Sequence, residues 1–274
     1  MMRLVAFLIP VSLWAVSPGM LLEPPREPSG ATEPAAAFRL MSHKPSYLLP
    51  FITDRVSHDN RMATEAKFRL SLKRPLLISP GGPTVYLAYS QLSLWQFWDE
   101  ENSRPFRETN YNPEVFIHAP FPRADITFFK WWRAGIEHES NGLDLPNSRS
   151  WDRAYGVLGA AHGKWRFEFK GWYRFPETEK TDANDTKGDD NPDIDRYYGY
   201  GEVTAIFQSG KSQWRLLARQ GSHRGAFELG YSRPMAGNLF FYAQAFSGYG
   251  ESLIDYDRRV EKFGFGVMFS RGEI

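Results

Sequence analysis

From about residue 47 onward the chain alternates apolar and polar residues with a period of two. This feature limits the fold more than any other, because only extended strands put residues i, i+2 and i+4 on one face. Thr64 to Lys73 is the cleanest case: Ala66, Phe68, Leu70 and Leu72 share one face, and Glu65, Lys67, Arg69, Ser71 and Lys73 share the other. Lys164 to Arg174 sets Trp165, Phe167, Phe169 and Tyr173 against Arg166, Glu168, Lys170 and Arg174. Gln213 to Arg219 repeats the arrangement, and similar segments lie near Tyr47 to Thr53, Val85 to Ser93, Pro113 to His118, Ile126 to Ser140, Trp151 to Ala161, Tyr197 to Phe207, Ala226 to Ser232, Leu239 to Phe246 and Val260 to Phe269. The total is about twelve short amphipathic strands, an even number of the kind that closes a membrane barrel.

Soluble sandwiches and barrels alternate in the same way. Two features favour a membrane wall. The polar faces carry charges of both signs in mid-strand, as in a small barrel interior packed with ion pairs, and Trp and Tyr recur at strand ends as interfacial girdles do. Aromatic residues are 16% of the chain although its mean hydropathy is negative, so apolar character is spread through short segments, unlike that of helical membrane proteins. The expected fold is therefore all-β, a twelve-stranded antiparallel transmembrane β-barrel.

A net charge of +1 and the lack of any basic run interleaved with aromatics give no reason to expect a nucleic-acid partner. With no cysteine, disulfide frameworks and thiolate metal sites are excluded. Leu4 to Val16, after Arg3, has the length of an export signal's hydrophobic region. The expected organisation is a signal peptide over 1–22, a mobile leader over 23–43, and the barrel over 44–274. Glu177 to Asp195, dense in Asp, Asn, Gly and Thr, should be an exposed loop.

Chemistry concentrates in Glu137-His138-Glu139-Ser140-Asn141-Gly142 and, shortly after, Ser148-Arg149-Ser150-Trp151-Asp152-Arg153. On a strand, His138 and Ser140 project from one face about 6–7 Å apart along the backbone, so the imidazole can take the hydroxyl proton. Asp152 on the next antiparallel strand can hold the histidine in one tautomer. Trp132, Ala134, Ile136, His138 and Ser140 share a face, Glu137 and Glu139 share the other, and Asp152 keeps parity with Ala154, Gly156, Leu158 and Ala160. All three groups should therefore face lipid, which suits an enzyme whose substrate is the bilayer. His43, His58, His118, His162 and His223 have no second ligand at metal-binding spacing and are expected to be solvated or interfacial.

Several stretches occur together in family order: Lys44-Pro45-Ser46-Tyr47-Leu48-Leu49-Pro50, Pro105-Phe106-Arg107-Glu108-Thr109-Asn110-Tyr111, His138-Glu139-Ser140-Asn141-Gly142, Ser148-Arg149-Ser150-Trp151, Asp190-Asn191-Pro192-Asp193-Ile194, and Ser247 to Tyr256. On these the chain resembles outer membrane phospholipase A of Gram-negative bacteria, from about Lys44 onward. The resemblance implies an outer-membrane, calcium-dependent esterase that acts on membrane phospholipids and is activated as a homodimer. It implies Ser140 as nucleophile, His138 as base and the Gly142 N–H as oxyanion donor. Its calcium ligands map to Ser103 of the partner subunit, the Leu143 carbonyl and Ser148, with Asp190 as an additional carboxylate. Gln91 maps to a polar dimer contact. Where the family pattern has Asn, this chain has Asp152, giving a Ser-His-Asp set. The alternative is a catalytically silent barrel, acting as a narrow channel or a structural protein of the outer membrane.

Overall fold

The computed structural model describes residues 39–56, 61–182, 185 and 187–272; the expected signal peptide, most of the leader and His58 lie outside the described residues. Twelve strands form the wall: β2 (Ser46–Asp54), β3 (Thr64–Ile78), β4 (Thr84–Trp95), β5 (Phe106–Pro120), β6 (Phe129–Ser140), β7 (Ser150–His162), β8 (Trp165–Arg174), β9 (Gly201–Ser209), β10 (Ser212–Gln220), β11 (Gly225–Pro234), β12 (Phe240–Tyr249) and β13 (Arg259–Ser270). Each pairs antiparallel with its neighbours in sequence, and β13 pairs back onto β2. The ring is closed, so no backbone edge meets the hydrocarbon. A two-residue strand, β1 (Met41–Ser42), pairs with Lys73 and Leu72 of β3.

Every alternating segment corresponds to a wall strand, and the differences have local causes. The segment expected to begin at Tyr197 begins at Gly201, because residues 195–198 form a single helical turn, α1 (Asp195–Tyr198). Gly199 (φ +69°) ends that turn where a Cβ would lie 2.1 Å from the Gln220 carbonyl oxygen, a position open only to glycine. The strand expected at Pro113 begins earlier, at Phe106, because its first half presents Glu108, Asn110 and Asn112 to the interior. The last residues of the expected leader belong to the barrel: beside β1, His43 is buried and bonds Glu114 Oε1 through Nε2 at 2.7 Å, so it is not the solvated histidine expected.

Exposure alternates as the sequence does. Leu70, Leu87, Tyr89, Ile136, Leu158, Phe169, Phe227 and Phe265 stand outward, while the inward positions are buried and combine polar groups such as Lys67, Glu114 and Gln244 with aromatic rings such as Tyr47 and Trp151. Short turns join the strands at one end, such as residues 163–164 and 210–211, and longer connections, 141–149, 175–200 and 250–258, lie at the other. This asymmetry identifies the long-loop end as extracellular.

Charged and aromatic side chains and a loop segment occupy much of the lumen. Residues 250–256 fold into it, and Glu251 pairs with Lys67 (2.8 Å) and Lys262 (2.5 Å), all three side chains being 1% exposed. Lys262 also reaches Glu65 (2.6 Å), and Arg107 bridges Glu65 and Asp255 (2.9 and 2.7 Å). Leu253 and Tyr256 from this segment, with Ile194 and Tyr198 around α1, pack on the inward faces of Trp151, Tyr155 and Trp172. Such buried charges persist only because each finds an opposite partner in good geometry.

Candidate active site

His138, Ser140 and Asp152 lie at the extracellular ends of β6 and β7, where the register pairs His138 with Asp152 and Ser140 with Ser150. His138 Nδ1 is 2.9 Å from Asp152 Oδ1. A carboxylate only accepts, so in this bond Nδ1 is the donor, and in the neutral ring Nε2 then presents its lone pair. The two side chains are 42% and 54% exposed, and Ile136 on the same face is 57% exposed, so the pair points out of the wall as parity required. Ser140 stands two residues along on that face. Among the described residues no hydrogen bond joins its hydroxyl to the imidazole, so the structure brings together the histidine and the carboxylate, with the serine adjacent.

The inward faces hold these strands in place. Glu139 Oε2 accepts from Trp151 Nε1 (3.0 Å) and Arg153 Nη2 (2.8 Å), locking β6 to β7 directly behind the pair. On the other flank, β5 meets β6 at Tyr111↔Ser140 and again at Glu114↔Glu137, with no pairing between. Pro113 lies in that gap and has no N–H to offer the ladder. Asn112 compensates by donating from Nδ2 to the His138 carbonyl at 2.8 Å, and Lys44 Nζ in turn donates to Asn112 Oδ1 at 2.7 Å. Sequence reasoning missed Asn112 and Pro113 as supports of the histidine, although a proline inside an alternating strand marks an interrupted ladder. A groove of about 440 Å³ runs along the outer wall here, lined by Leu87, Val115, Ile136, His138, Asp152 and Phe175. Its apolar floor beside the imidazole is suited to an acyl chain.

Gly142 opens the loop beyond Ser140 with φ +64°, and a Cβ there would sit 3.2 Å from the Tyr111 ring. A left-handed residue with a Cβ costs about 1–2 kcal/mol. If the Gly142 N–H has the oxyanion role that the resemblance implies, Gly142→Ala should lower kcat by about 10²-fold in a folded barrel, the loss typical when such a donor is misplaced; wild-type turnover of a micellar ester would remove Gly142 from the site.

Of the residues expected to hold calcium, Ser148 and Asp190 meet: Ser148 Oγ donates to Asp190 Oδ2 at 2.6 Å. Asn191 fixes this approach by accepting from the Ser150 N–H at 3.1 Å, and Arg174 pairs with Asp189 at 2.6 Å. Leu143 lies exposed on the same loop as Ser148, whereas Ser103 is on the neighbouring extracellular loop between β4 and β5. Among the described residues no group of three or more His, Asp or Glu side chains could hold a metal, so a cation here would depend on hydroxyl and carbonyl oxygens as well. The local chemistry fits one. Asp190 already attracts a cation, the Lys180 ammonium. Glu177 Oε1 is buried with no hydrogen-bond partner, and burial, followed by the Asp189, Asp152 and Asp190 carboxylates, pushes the Glu177 carboxyl up from its ordinary range. Hard oxygens of this kind suit Ca²⁺, which would compete with the Lys180 ammonium for Asp190.

Gln91 faces outward on β4, where its Oε1 accepts from Tyr89 OH (3.0 Å) and its Nε2 donates to Ser93 Oγ (3.1 Å).

A family model described as Phospholipase A1 matches residues 28–269. Phospholipase A1 of Escherichia coli (strain K12) is 39% identical over 223 residues, covering 77% of this chain and 72% of that protein. Among solved structures, outer membrane phospholipase A from Escherichia coli superposes with a TM-score of 0.76 at 34% identity, over 85% of this chain and 99% of that one. The Salmonella typhi outer membrane phospholipase, solved as a dimer with bound calcium, superposes with a TM-score of 0.75 at 33% identity, over 85% and 93% of the two chains.

Proposed function

The chain belongs to the phospholipase A1 family, and from that premise we propose that this outer-membrane phospholipase cleaves acyl esters with Ser140 as nucleophile, His138 as base and Asp152 as orienting carboxylate. The observation that carries this reading is the 2.9 Å His138–Asp152 hydrogen bond on the lipid-facing side of the wall, beside Ser140. Ser140 Oγ attacks the acyl carbonyl carbon while its proton passes to His138 Nε2. The Gly142 N–H donates to the oxyanion that forms. The ester C–O bond then breaks, and the departing glycerol oxygen takes the proton from His138. Water, deprotonated by the same imidazole, attacks the acyl-enzyme, and fatty acid leaves with Ser140 restored. Asp152 accepts from Nδ1–H throughout and stabilises the transient imidazolium.

Ser148, Asp190 and the Leu143 carbonyl, with Ser103 of the partner subunit, would hold a calcium ion, which when bound supplies positive charge close to the oxyanion. We expect chelation by EDTA to suppress fatty-acid release and added Ca²⁺ to restore it. Asp190→Asn is expected to raise the Ca²⁺ concentration for half-maximal activity by about tenfold, since the charge of the ligand set tunes affinity; a rate indifferent to chelation would remove the metal from the scheme.

The active state is a homodimer formed through the outward wall of Leu70, Leu87, Tyr89, Gln91 and Tyr111. This reading is supported by an amide in an otherwise apolar surface, by the dimer of the Salmonella typhi relative, and by a groove at His138 that lacks an opposite side. The experiment that tests the catalytic reading is labelling by an alkyl fluorophosphonate. Modification should map to Ser140 and require intact His138, whereas labelling elsewhere, or labelling that survives His138→Ala, overturns it.

A further inference from the structure

The loop that carries Gly142, Leu143 and Ser148 is closed by one side chain. Asn141 is buried; its Oδ1 accepts from the Leu143 N–H (3.3 Å) and the Arg149 N–H (2.9 Å), and its Nδ2 donates to the Asn147 carbonyl (2.9 Å). That same Nδ2 also donates to Glu108 Oε2 on β5, at 3.3 Å. Glu108 is 2% exposed, and its other oxygen, Oε1, accepts from the Ile254 N–H (3.1 Å) and from Asn110 Nδ2. Asn110 Oδ1 accepts from the Leu253 N–H at 3.0 Å. A continuous set of hydrogen bonds therefore runs from the segment that fills the lumen, across the inward face of β5, to the loop of the active site. Glu108 meets only N–H donors, so its carboxylate spans two loops more than 100 residues apart in sequence.

We propose that Glu108 and Asn141 are positioning residues for phospholipid hydrolysis, through which the lumen segment Leu253–Ile254 sets the geometry of the loop bearing Gly142, Leu143 and Ser148. The inference rests on the catalytic roles proposed above. Its physical basis is that Asn141, which ties the loop together through three bonds, is itself anchored to the barrel interior through Glu108. Glu108→Gln preserves shape but sets an NH₂ group against N–H donors. Asn141→Asp keeps the two acceptances that fold the loop and removes both Nδ2 donations, to Glu108 and to the Asn147 carbonyl.

The test compares the full-length wild type, Glu108→Gln, Asn141→Asp and Glu228→Gln in detergent micelles. Glu228 is a control, since it pairs with Arg215 elsewhere in the lumen (3.4 Å). Measured quantities are kcat, KM for a micellar phospholipid, the unfolding temperature, and hydrogen exchange of amides 142–150. The expected result for Glu108→Gln and Asn141→Asp is a kcat lower by about tenfold or more at unchanged KM and near-native unfolding temperature, as small displacements of a reacting geometry produce. Exchange over 142–150 should quicken by about tenfold, and Glu228→Gln should match wild type in both. A folded Glu108→Gln with wild-type kcat, or with lowered kcat but unchanged loop exchange, overturns the proposal. If Glu108→Gln does not fold, Asn110→Ala, which removes the link between Glu108 and Leu253 without touching the 141–149 loop, decides by the same criteria. Because the exchange is read without substrate, a failure of the Ser140 assignment appears in the labelling experiment and leaves the coupling measured independently.

Discussion

Ser140→Ala is expected to reduce fatty-acid release from phospholipid micelles by about 10³-fold or more, while the barrel inserts and resists unfolding like wild type. The hydroxyl sits on the outward face at the end of β6 and supports no interior contact, so its removal leaves the lumen pairs and the β6–β7 ladder intact. His138→Ala should be similarly severe, since the serine then has no base. Ser150 is the informative control: it is the cross-strand partner of Ser140, yet it lies on the strand that carries Asp152, and its alanine variant should stay near wild type. Asp152→Asn keeps an oxygen that accepts from Nδ1 and is expected to lose about tenfold or less, a fraction of the 10²–10⁴ that base catalysis contributes. Undiminished lipolysis by Ser140→Ala would exclude the mechanism.

The second large effect concerns stability. Glu251→Ala is expected to destabilise the barrel by about 3–5 kcal/mol, because it leaves buried cations short of their counter-charge. Two are affected: Lys67 and Lys262 both point at this one carboxylate, and neither side chain is more than 1% exposed. Their remaining partners, Gln244 for Lys67 and Glu65 for Lys262, are in place but do not restore the lost charge. By contrast Glu100, 77% exposed and paired with Arg104 on a loop, should cost at most about 1 kcal/mol on the same replacement. Urea unfolding in micelles measures both, and equal midpoints for the two variants would show that the lumen pairs contribute no more than a surface contact.

Wall strands and the outward direction of the proposed catalytic groups were legible because both depend on parity, which a sequence displays directly. Ile136, His138 and Asp152 all emerged on the face their spacing required. The lumen was not legible in the same way. Alternation marks Lys67 and Lys262 as inward, but their shared partner Glu251 lies in a loop 184 residues beyond Lys67, and no local spacing encodes a contact made across a barrel. His43 was misjudged for the same reason, its partner Glu114 being 71 residues away. The helical turn at 195–198 overlaps the start of the run expected from Tyr197, because aromatic residues suit a strand end as well as a turn whose Tyr198 packs on Trp151. Asp190 was named from the resemblance, whereas its contact with Ser148 depends on Asn191 gripping the start of β7, a tertiary arrangement.

Folding residues 250–256 into the barrel has a consequence for the cell that carries it. An envelope is useful only while it retains solutes, and a hollow cylinder of this girth would short-circuit it. Here interlocked carboxylates, ammonium groups and aromatic rings occupy the bore around residues 250–256, which narrows any path for solutes through it. The proposed catalytic groups stand on the outer surface, where lipid would reach them from within the leaflet. The proposed chemistry and the narrowing of the bore thus fall to opposite faces of the same sheet.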